Sequence, residues 1–227
     1  MLNYISKCNN NFMQDKKFYH IPEFARIMDL SRIEVFRKVK SGEIPARKSG
    51  KSYQISRDFA DQIEGVLTGK NKKILDDVIK VYKSDEIVDF GLKNRPVPVH
   101  RFTKKISTDQ IDYVLEKIGN DAKYNPAILQ NCLNTPFLRG QRRELYDPLE
   151  EKAAIMFYLL IKNRPFYQQN AEFSILILRC FLGLNARVLN TTSQRMQKLA
   201  DWIAQSDSEF YSAVMSSCVI FFKNHFD

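Results

Sequence analysis

The chain has 227 residues, of which 44% are hydrophobic and 27% are charged, and its formal net charge is +9. These proportions are typical of a globular protein with a real core, and they argue against intrinsic disorder. No apolar run approaches the roughly 18 residues of a membrane span, and residues 1–17 lack the apolar core of a signal peptide, so a cytoplasmic protein without membrane association is expected.

The four cysteines are far apart and form no CxxC pair. This spacing favours reduced thiols over a disulfide framework, and it predicts no metal site. The cysteines are Cys8, Cys132, Cys180 and Cys218.

The excess positive charge is confined to the first part of the chain. Residues 1–64 hold 12 basic and 8 acidic residues, residues 65–105 hold 10 and 5, and residues 106–227 hold 13 and 13. This asymmetry indicates a basic module attached to a neutral one. The densest basic segment, Ser31 to Arg57, has eight basic residues against Glu34 and Glu43.

Two short helices are predicted near the N-terminus. Apolar residues at helical spacing and Pro22 indicate a first helix from Pro22 to Met28, and Asp29 suits the tight turn that follows. Ser31 as N-cap, with Glu34 completing a capping box, predicts a second helix from Arg32 to about Lys40. We expect Val35 and Val39 to point inward together with Ile33 or Phe36.

A β-hairpin and a third helix follow. The segment "IPARKSGKSYQIS" reads as two short strands joined by a Gly-containing turn, and Ser56 is placed to cap the third helix. The order of helix, turn, basic helix, hairpin and capped helix resembles the winged helix-turn-helix of the excisionase and MerR-like DNA-binding families. The resemblance rests on "IPEFARIMDLSRIEVFRKVKSGEIPARK" and "YQISRDFADQI".

That resemblance implies that the second helix enters the major groove of double-stranded DNA while the hairpin, or wing, contacts the backbone. A domain of this kind that only docks proteins is the alternative. The residues that we expect at a DNA interface are Ser31, Arg32, Glu34, Arg37 and Lys38 on the second helix, with Arg47, Lys48 and Lys51 on the wing.

Residues 67–106 give weaker signals. Ile74, Val78 and Val81 recur at helical spacing, and the prolines of "NRPVPVHRF" exclude a helix interior. We therefore expect a linker helix followed by an extended connector. The predicted divisions are an N-terminal tail (1–17), a winged helix-turn-helix (18–66), this linker (67–106) and a helical domain (107–227).

Residues 107–227 are predicted to be almost wholly helical. Ser107 and Pro126 mark helix starts, and "DPLEEKAAIMFYLLIKN" predicts a helix with Asp147 as N-cap and Pro148 in first position. The segment "AEFSILILRCFLGLN" is apolar on nearly every side, which predicts a central buried helix. The predicted fold class is mainly α: a winged helix-turn-helix with a β-hairpin, then an all-α bundle.

The segment "YDPLEEKAAIMFYLLIKNRPFYQQNAEFSILILRCFLGLNA" resembles the Fic and death-on-curing (Doc) family. In that family a loop of the form HPFxDGNKR or HPFx[DE]GNGR supplies a general base, a Mg²⁺ ligand, a glycine and a phosphate-binding arginine. In this register Pro165, Phe166 and Asn170 are retained. The other positions are replaced, with Arg164 for His, Gln168 for the acid, Gln169 for Gly and Glu172 for Arg.

The replacements predict a loop without transfer chemistry. Arg164 stays protonated and cannot act as a base, Gln168 is a poorer Mg²⁺ ligand, and the Glu172 carboxylate repels a polyphosphate. We expect no catalytic residue, metal or cofactor. Two alternatives are open: Arg164 and the helix N-terminus bind an anion or nucleotide, or Arg164 and Glu172 simply pair with each other or with solvent.

Two functions follow from the two resemblances. The first is a DNA-binding regulator or antitoxin-like component of a toxin-antitoxin or mobile-element system, whose Fic/Doc-like domain serves for interaction. Its expected partners are DNA, a second copy of the chain and a toxin or antitoxin protein. The second is a noncanonical toxin that uses ATP and Mg²⁺ to transfer a phosphate or AMP group to a protein hydroxyl.

Overall fold

The computed structural model describes residues 16–28, 30–84, 102–119, 121–140 and 144–226. This part of the chain is mainly helical and contains a three-stranded antiparallel sheet, which confirms the predicted class at that coarse level. The described residues divide into two units. Unit 1 contains residues 16–64 and Phe102, and unit 2 contains residues 65–84 and the described residues from Thr103 onward.

Unit 1 combines short helices with the sheet. The strand order is β1-β3-β2, with Tyr19 opposite Ile55 and Lys48 opposite Tyr53. The three-residue strand β1 was not predicted. The elements are β1 (Phe18–His20), α1 (Ile21–Ile27), α2 (Arg32–Lys40), β2 (Ala46–Ser49), β3 (Ser52–Ser56) and α3 (Arg57–Ile63).

Local side-chain bonds fix where these helices begin. The backbone N–H of Glu34 donates to Ser31 Oγ at 3.1 Å, and that of Phe59 donates to Ser56 Oγ at 3.2 Å, so both serine caps are confirmed. Helix α2 has the predicted bounds, and α1 begins one residue before the predicted Pro22. The turn predicted at Asp29 lies outside the described residues.

The core of unit 1 corrects the predicted orientation of α2. Val35 and Val39 are buried as expected, but Ile33 is 66% exposed and Phe36 is 44% exposed. The expectation that one of these two residues also points inward is therefore wrong. Helix α2 contributes Val35 and Val39 to this core. The other buried residues of the core are Tyr19, Phe24, Ala25, Ile44, Ile55, Ala60 and Ile63.

Unit 2 is a group of helices around one hydrophobic core. Helix α8 contributes side chains from nearly all sides, and α7 packs against it, so the predicted central buried helix is confirmed. Short 3-10 turns occupy Thr135–Phe137 and Ser208–Phe210. The helices are α4 (Gly69–Ser84), α5 (Thr108–Ile118), α6 (Pro126–Asn134), α7 (Leu149–Asn163), α8 (Asn170–Leu184), α9 (Ser193–Gln205) and α10 (Tyr211–His225).

Helix α4 differs from the predicted linker helix. Its residues Leu75, Val78 and Ile79 are buried in the same cluster as α8, so α4 is part of the core of unit 2. Gly183 of α8 allows a close approach here, because a Cβ at this position would lie 2.9 Å from Val78 Cγ2. Most of the extended connector predicted after α4 lies outside the described residues.

The start of α7 also differs from the prediction. The helix begins at Leu149 with Pro148 as its N-cap, one residue later than expected from Asp147. Lys152 in its first turns is 1% exposed, and its ammonium donates to Glu144 and to the carbonyl oxygens of Tyr146 and Asp147. These bonds hold the segment before α7 against the helix and satisfy a charge that would otherwise be buried alone.

Three of the four cysteines lie in unit 2 as buried free thiols, Cys132, Cys180 and Cys218. Burial raises the pKa of Cys180 and of Cys218 to about 12, which keeps both as unreactive thiols at neutral pH. Cys8 lies outside the described residues. Within the described part of the chain, no helix combines the length and the apolarity needed to cross a membrane.

Candidate functional site

One side of helix α2 presents a mixed cationic and apolar surface, here called the α2 face. Each of its residues has another member three or four positions away, so the set lies on one side of the helix. All of them are exposed, and among the described residues the side chains of Arg32 and Arg37 make no hydrogen bond or ion pair. The α2 face consists of Arg32, Ile33, Phe36, Arg37 and Lys40.

Two of the predicted DNA contacts are engaged within unit 1. The Lys38 ammonium lies 3.0 Å from Glu43 Oε2 and 4.9 Å from the centre of the Phe102 ring. Arg47 donates from Nε to Gln54 Oε1 at 2.8 Å, and its guanidinium lies 4.0 Å from the centre of the Phe18 ring. These contacts hold both side chains in place, which leaves them less available than Arg32 and Arg37.

The hairpin formed by β2 and β3 adds two exposed cations. Lys48 pairs with Tyr53 across the strands, and Lys51 lies in the turn at the tip. Within the described part of the chain no hydrogen bond or ion pair involves Lys51. Arg47 is on the opposite side of the hairpin from Lys48, because neighbouring residues of a strand point to opposite faces.

Tyr53 joins the hairpin to the α2 face. Its ring packs edge-on against Phe36 with 6.0 Å between centroids, and the Lys40 ammonium lies 5.5 Å from the Tyr53 ring centre. A hydrogen bond with Lys40 lowers the pKa of the Tyr53 phenol. Neither Lys40 nor Tyr53 is among the predicted DNA contacts, although Lys40 lies four residues after Phe36 and so shares its helix face.

The other predicted residues of α2 serve the helix itself. Ser31 is the N-cap described above. Glu34 lies in the first turn, where a carboxylate favours the positive end of the helix dipole. Both therefore have a structural role at the start of α2.

The loop segment, residues 164–172, is the second candidate site. Pro165 and Phe166 are buried, and the Phe166 ring lies 5.6 Å from that of Tyr124 and 5.1 Å from that of Phe173. The Asn125 N–H donates to the Pro165 carbonyl oxygen at 2.8 Å. These contacts pin the first half of the loop segment to the body of unit 2.

Asn170 organises the loop segment from its side chain. Its Oδ1 accepts from the Phe166 N–H at 3.1 Å, and its Nδ2 donates to the Leu160 carbonyl oxygen at 2.9 Å. The Leu160 carbonyl is one of the last four of α7, which have no partner within the helix. One asparagine thus ties the end of α7 to the loop and to the start of α8.

Two residues of the loop segment have left-handed backbones. Arg164 ends α7 at φ 46° and ψ 61°, and Gln169 precedes α8 at φ 50° and ψ 35°. Glycine adopts this conformation without the steric cost that a side chain brings. Gln169 therefore carries a side chain on a backbone that suits glycine, at the position where the sequence resemblance predicts the motif's glycine.

A cleft of about 480 Å³ borders the loop segment, and its lining includes Arg164, Gln169, Glu172 and Asp201. Tyr82 donates a hydrogen bond to Glu172 Oε1. Glu172 therefore contacts this tyrosine instead of forming the ion pair with Arg164 that was one alternative. Burial and this bond raise the pKa of Tyr82. With two carboxylates against one guanidinium, the cleft disfavours a polyphosphate.

The described lining of the cleft contains no histidine. His20 precedes α1, His225 stacks on Phe221 at the end of α10, and His100 lies outside the described residues. Gln168, which the sequence resemblance aligns with the motif's acidic residue, is exposed. No group of three or more His, Cys, Asp or Glu residues suited to a metal ion occurs in the part of the chain that the structure describes.

Comparisons with protein-family models, with curated proteins and with solved structures found no match for this chain.

Proposed function

We propose that unit 1 is a winged helix-turn-helix that binds double-stranded DNA, with the α2 face in the major groove and the β2–β3 hairpin as the wing on the backbone. The chain then acts as a DNA-binding regulator, and control of a toxin-antitoxin or mobile-element operon is the context that the sequence resemblance implies. The observation that carries the proposal is the exposed, unpaired state of Arg32 and Arg37 on α2.

Electrostatics supports this assignment over a protein-docking role. Binding to DNA gains free energy when Lys and Arg side chains release the cations condensed on phosphates. Five cations converge on the α2 face and the wing, namely Arg32, Arg37, Lys40, Lys48 and Lys51. Lys38, whose charge is paired with Glu43, and Arg47, which lies on the opposite side of the hairpin from Lys48, then contribute less to binding.

The proposal is tested by fluorescence anisotropy of a labelled mixed-sequence duplex at about 100 mM salt. The double variant Arg32→Ala, Arg37→Ala is expected to bind roughly tenfold or more weakly than the wild type. Lys80→Ala with Lys198→Ala is the matched control, because it removes the same charge from exposed positions of unit 2. If both double variants lose the same DNA affinity, the effect is explained by net charge alone, and the proposed DNA interface on the α2 face is wrong.

We further propose that unit 2 is a Fic/Doc-like domain without transfer activity, which serves as an interaction module. Support comes from the arginine at the motif's first position, which cannot accept a proton, and from the engagement of Glu172 by Tyr82. The contacts of Asn170 and Phe166 keep the shape of the loop segment without the groups that the family's reaction requires.

This second part is tested by incubating the protein with labelled ATP, Mg²⁺ and cell extract. Neither the chain nor the extract is expected to become labelled. Reproducible labelling that is lost in Arg164→Ala would instead support the transferase alternative.

A further inference from the structure

Two apolar side chains stand among the cations of the α2 face. Ile33 is 66% exposed and Phe36 is 44% exposed, and they are three residues apart on one side of the helix. A single exposed apolar residue is common on protein surfaces. Ile33 and Phe36 form a neighbouring pair that is flanked by Arg32 and Arg37 and is not part of the core. Such a surface suits a ligand that has an apolar group between negatively charged groups.

The Phe36 side chain is fixed in place by the hairpin. Its ring packs edge-on against Tyr53, and the Lys40 ammonium lies 5.8 Å from its centroid. A ring that already packs against a neighbouring side chain loses less further freedom on binding than an isolated one. Phe36 is therefore suited to a specific contact, and Ile33, with a stiff β-branched side chain, shares this property.

The charge around the pair selects the occupant. Arg32, Arg37 and Lys40 complement rows of phosphates, and between two such rows the floor of the major groove exposes the edges of the bases. The C5-methyl of thymine is the apolar group on those edges. An apolar protein partner would instead have to bring acidic groups to match the same cations.

We propose that Ile33 and Phe36 contact thymine C5-methyl groups in the major groove, and that they determine which DNA sequence the chain prefers. The inference rests on the proposed DNA-binding function and extends it from phosphate contacts to base recognition. Arg32, Arg37 and Lys40 supply affinity for any duplex, whereas Ile33 and Phe36 discriminate between base pairs.

The test first selects preferred duplexes from a random pool with the full chain. Each thymine of the selected site is then replaced by deoxyuridine, which removes the methyl group and keeps the base pairing. Wild-type binding is expected to weaken about fourfold at one or two positions, as the burial of one methyl group implies. In Ile33→Ala or Phe36→Ala, thymine and deoxyuridine at the corresponding position should bind equally well.

Ile220→Ala is the control, because Ile220 is 58% exposed on α10 in unit 2 and should leave the discrimination unchanged. Phe36→Leu is included because alanine removes the contact with Tyr53. The inference is overturned if no deoxyuridine substitution affects the wild type, if no sequence is enriched, or if both alanine variants still discriminate. Salt-sensitive DNA binding in these cases preserves the proposed function, whereas absence of any DNA binding overturns both.

Discussion

Asn170 shows how one side chain can hold the shape of the loop segment. It satisfies one donor, the Phe166 N–H, and one acceptor, the Leu160 carbonyl, which both belong to irregular or terminal backbone. Buried backbone groups without partners are costly. These two hydrogen bonds give the asparagine a structural role in unit 2.

We predict that Asn170→Ala lowers the free energy of unfolding of unit 2 by about 1–3 kcal/mol, since it leaves these two backbone groups unpaired. The measurement is urea denaturation followed by the fluorescence of Trp202, the single tryptophan of the chain, which lies on α9 of unit 2. Gln168→Ala, at an exposed position of the same loop, should change stability by less than about 0.5 kcal/mol. Equal effects of the two variants would refute the role assigned to Asn170.

Gln169 gives the opposite prediction, a gain in stability. Its backbone is left-handed at φ 50°, so Gln169→Gly removes a steric cost that exceeds the added entropy of the unfolded chain. The expected gain is about 0.5–1 kcal/mol in the same fluorescence assay. Gln168→Gly, one residue earlier without a positive φ, should not stabilise, and a comparable gain there would argue against the conformation of Gln169.

At the scale of elements, the sequence predicted helices best where end signals and apolar spacing agreed. Ser31 predicted the start of α2, and a segment that is apolar on nearly every side predicted α8 as a buried helix. Spacing placed Val35 and Val39 on the core side of α2, as the structure has them, but it did not exclude Ile33 or Phe36 from that side. The short strand β1 has too few residues for a period to be visible.

Long-range partners were beyond the reach of sequence patterns. The spacing of Ile74, Val78 and Val81 indicated an amphipathic helix, but it did not identify α8 as the partner that turns α4 into a core element. Likewise, the motif register identified Glu172 as a replacement, while its hydrogen bond with Tyr82 joins residues 90 positions apart. Such contacts depend on how the helices of unit 2 pack.

The packing of α4 on α8 is tested by Gly183→Ala. The added Cβ would meet Val78 Cγ2 at 2.9 Å, so the helices must shift, and we expect a loss of about 1–3 kcal/mol despite alanine's better helix propensity. Gly69→Ala is the matched change in α4, where a Cβ meets nothing within 4 Å. If the Gly183→Ala variant is as stable as the Gly69→Ala variant, then α4 and α8 do not pack as closely as described.

At the scale of the whole molecule, charge is segregated along the chain. Residues 106–227 contain equal numbers of basic and acidic residues, whereas the excess of positive charge precedes them. Within this neutral part, the cleft beside the loop segment has a local excess of acidic groups, since Glu172 and Asp201 outnumber Arg164. A polyanion is thereby favoured at the α2 face and disfavoured at the cleft.

The central claim is that the α2 face and the wing bind DNA through phosphate contacts, and the salt dependence of the affinity tests it most directly. Each phosphate neutralised contributes about −0.9 to the slope of log affinity against log salt. Five cations predict a slope of about −4.5 for the wild type, reduced in magnitude by about 2 in Arg32→Ala, Arg37→Ala. A wild-type slope near zero, or the same slope in the double variant, would contradict it.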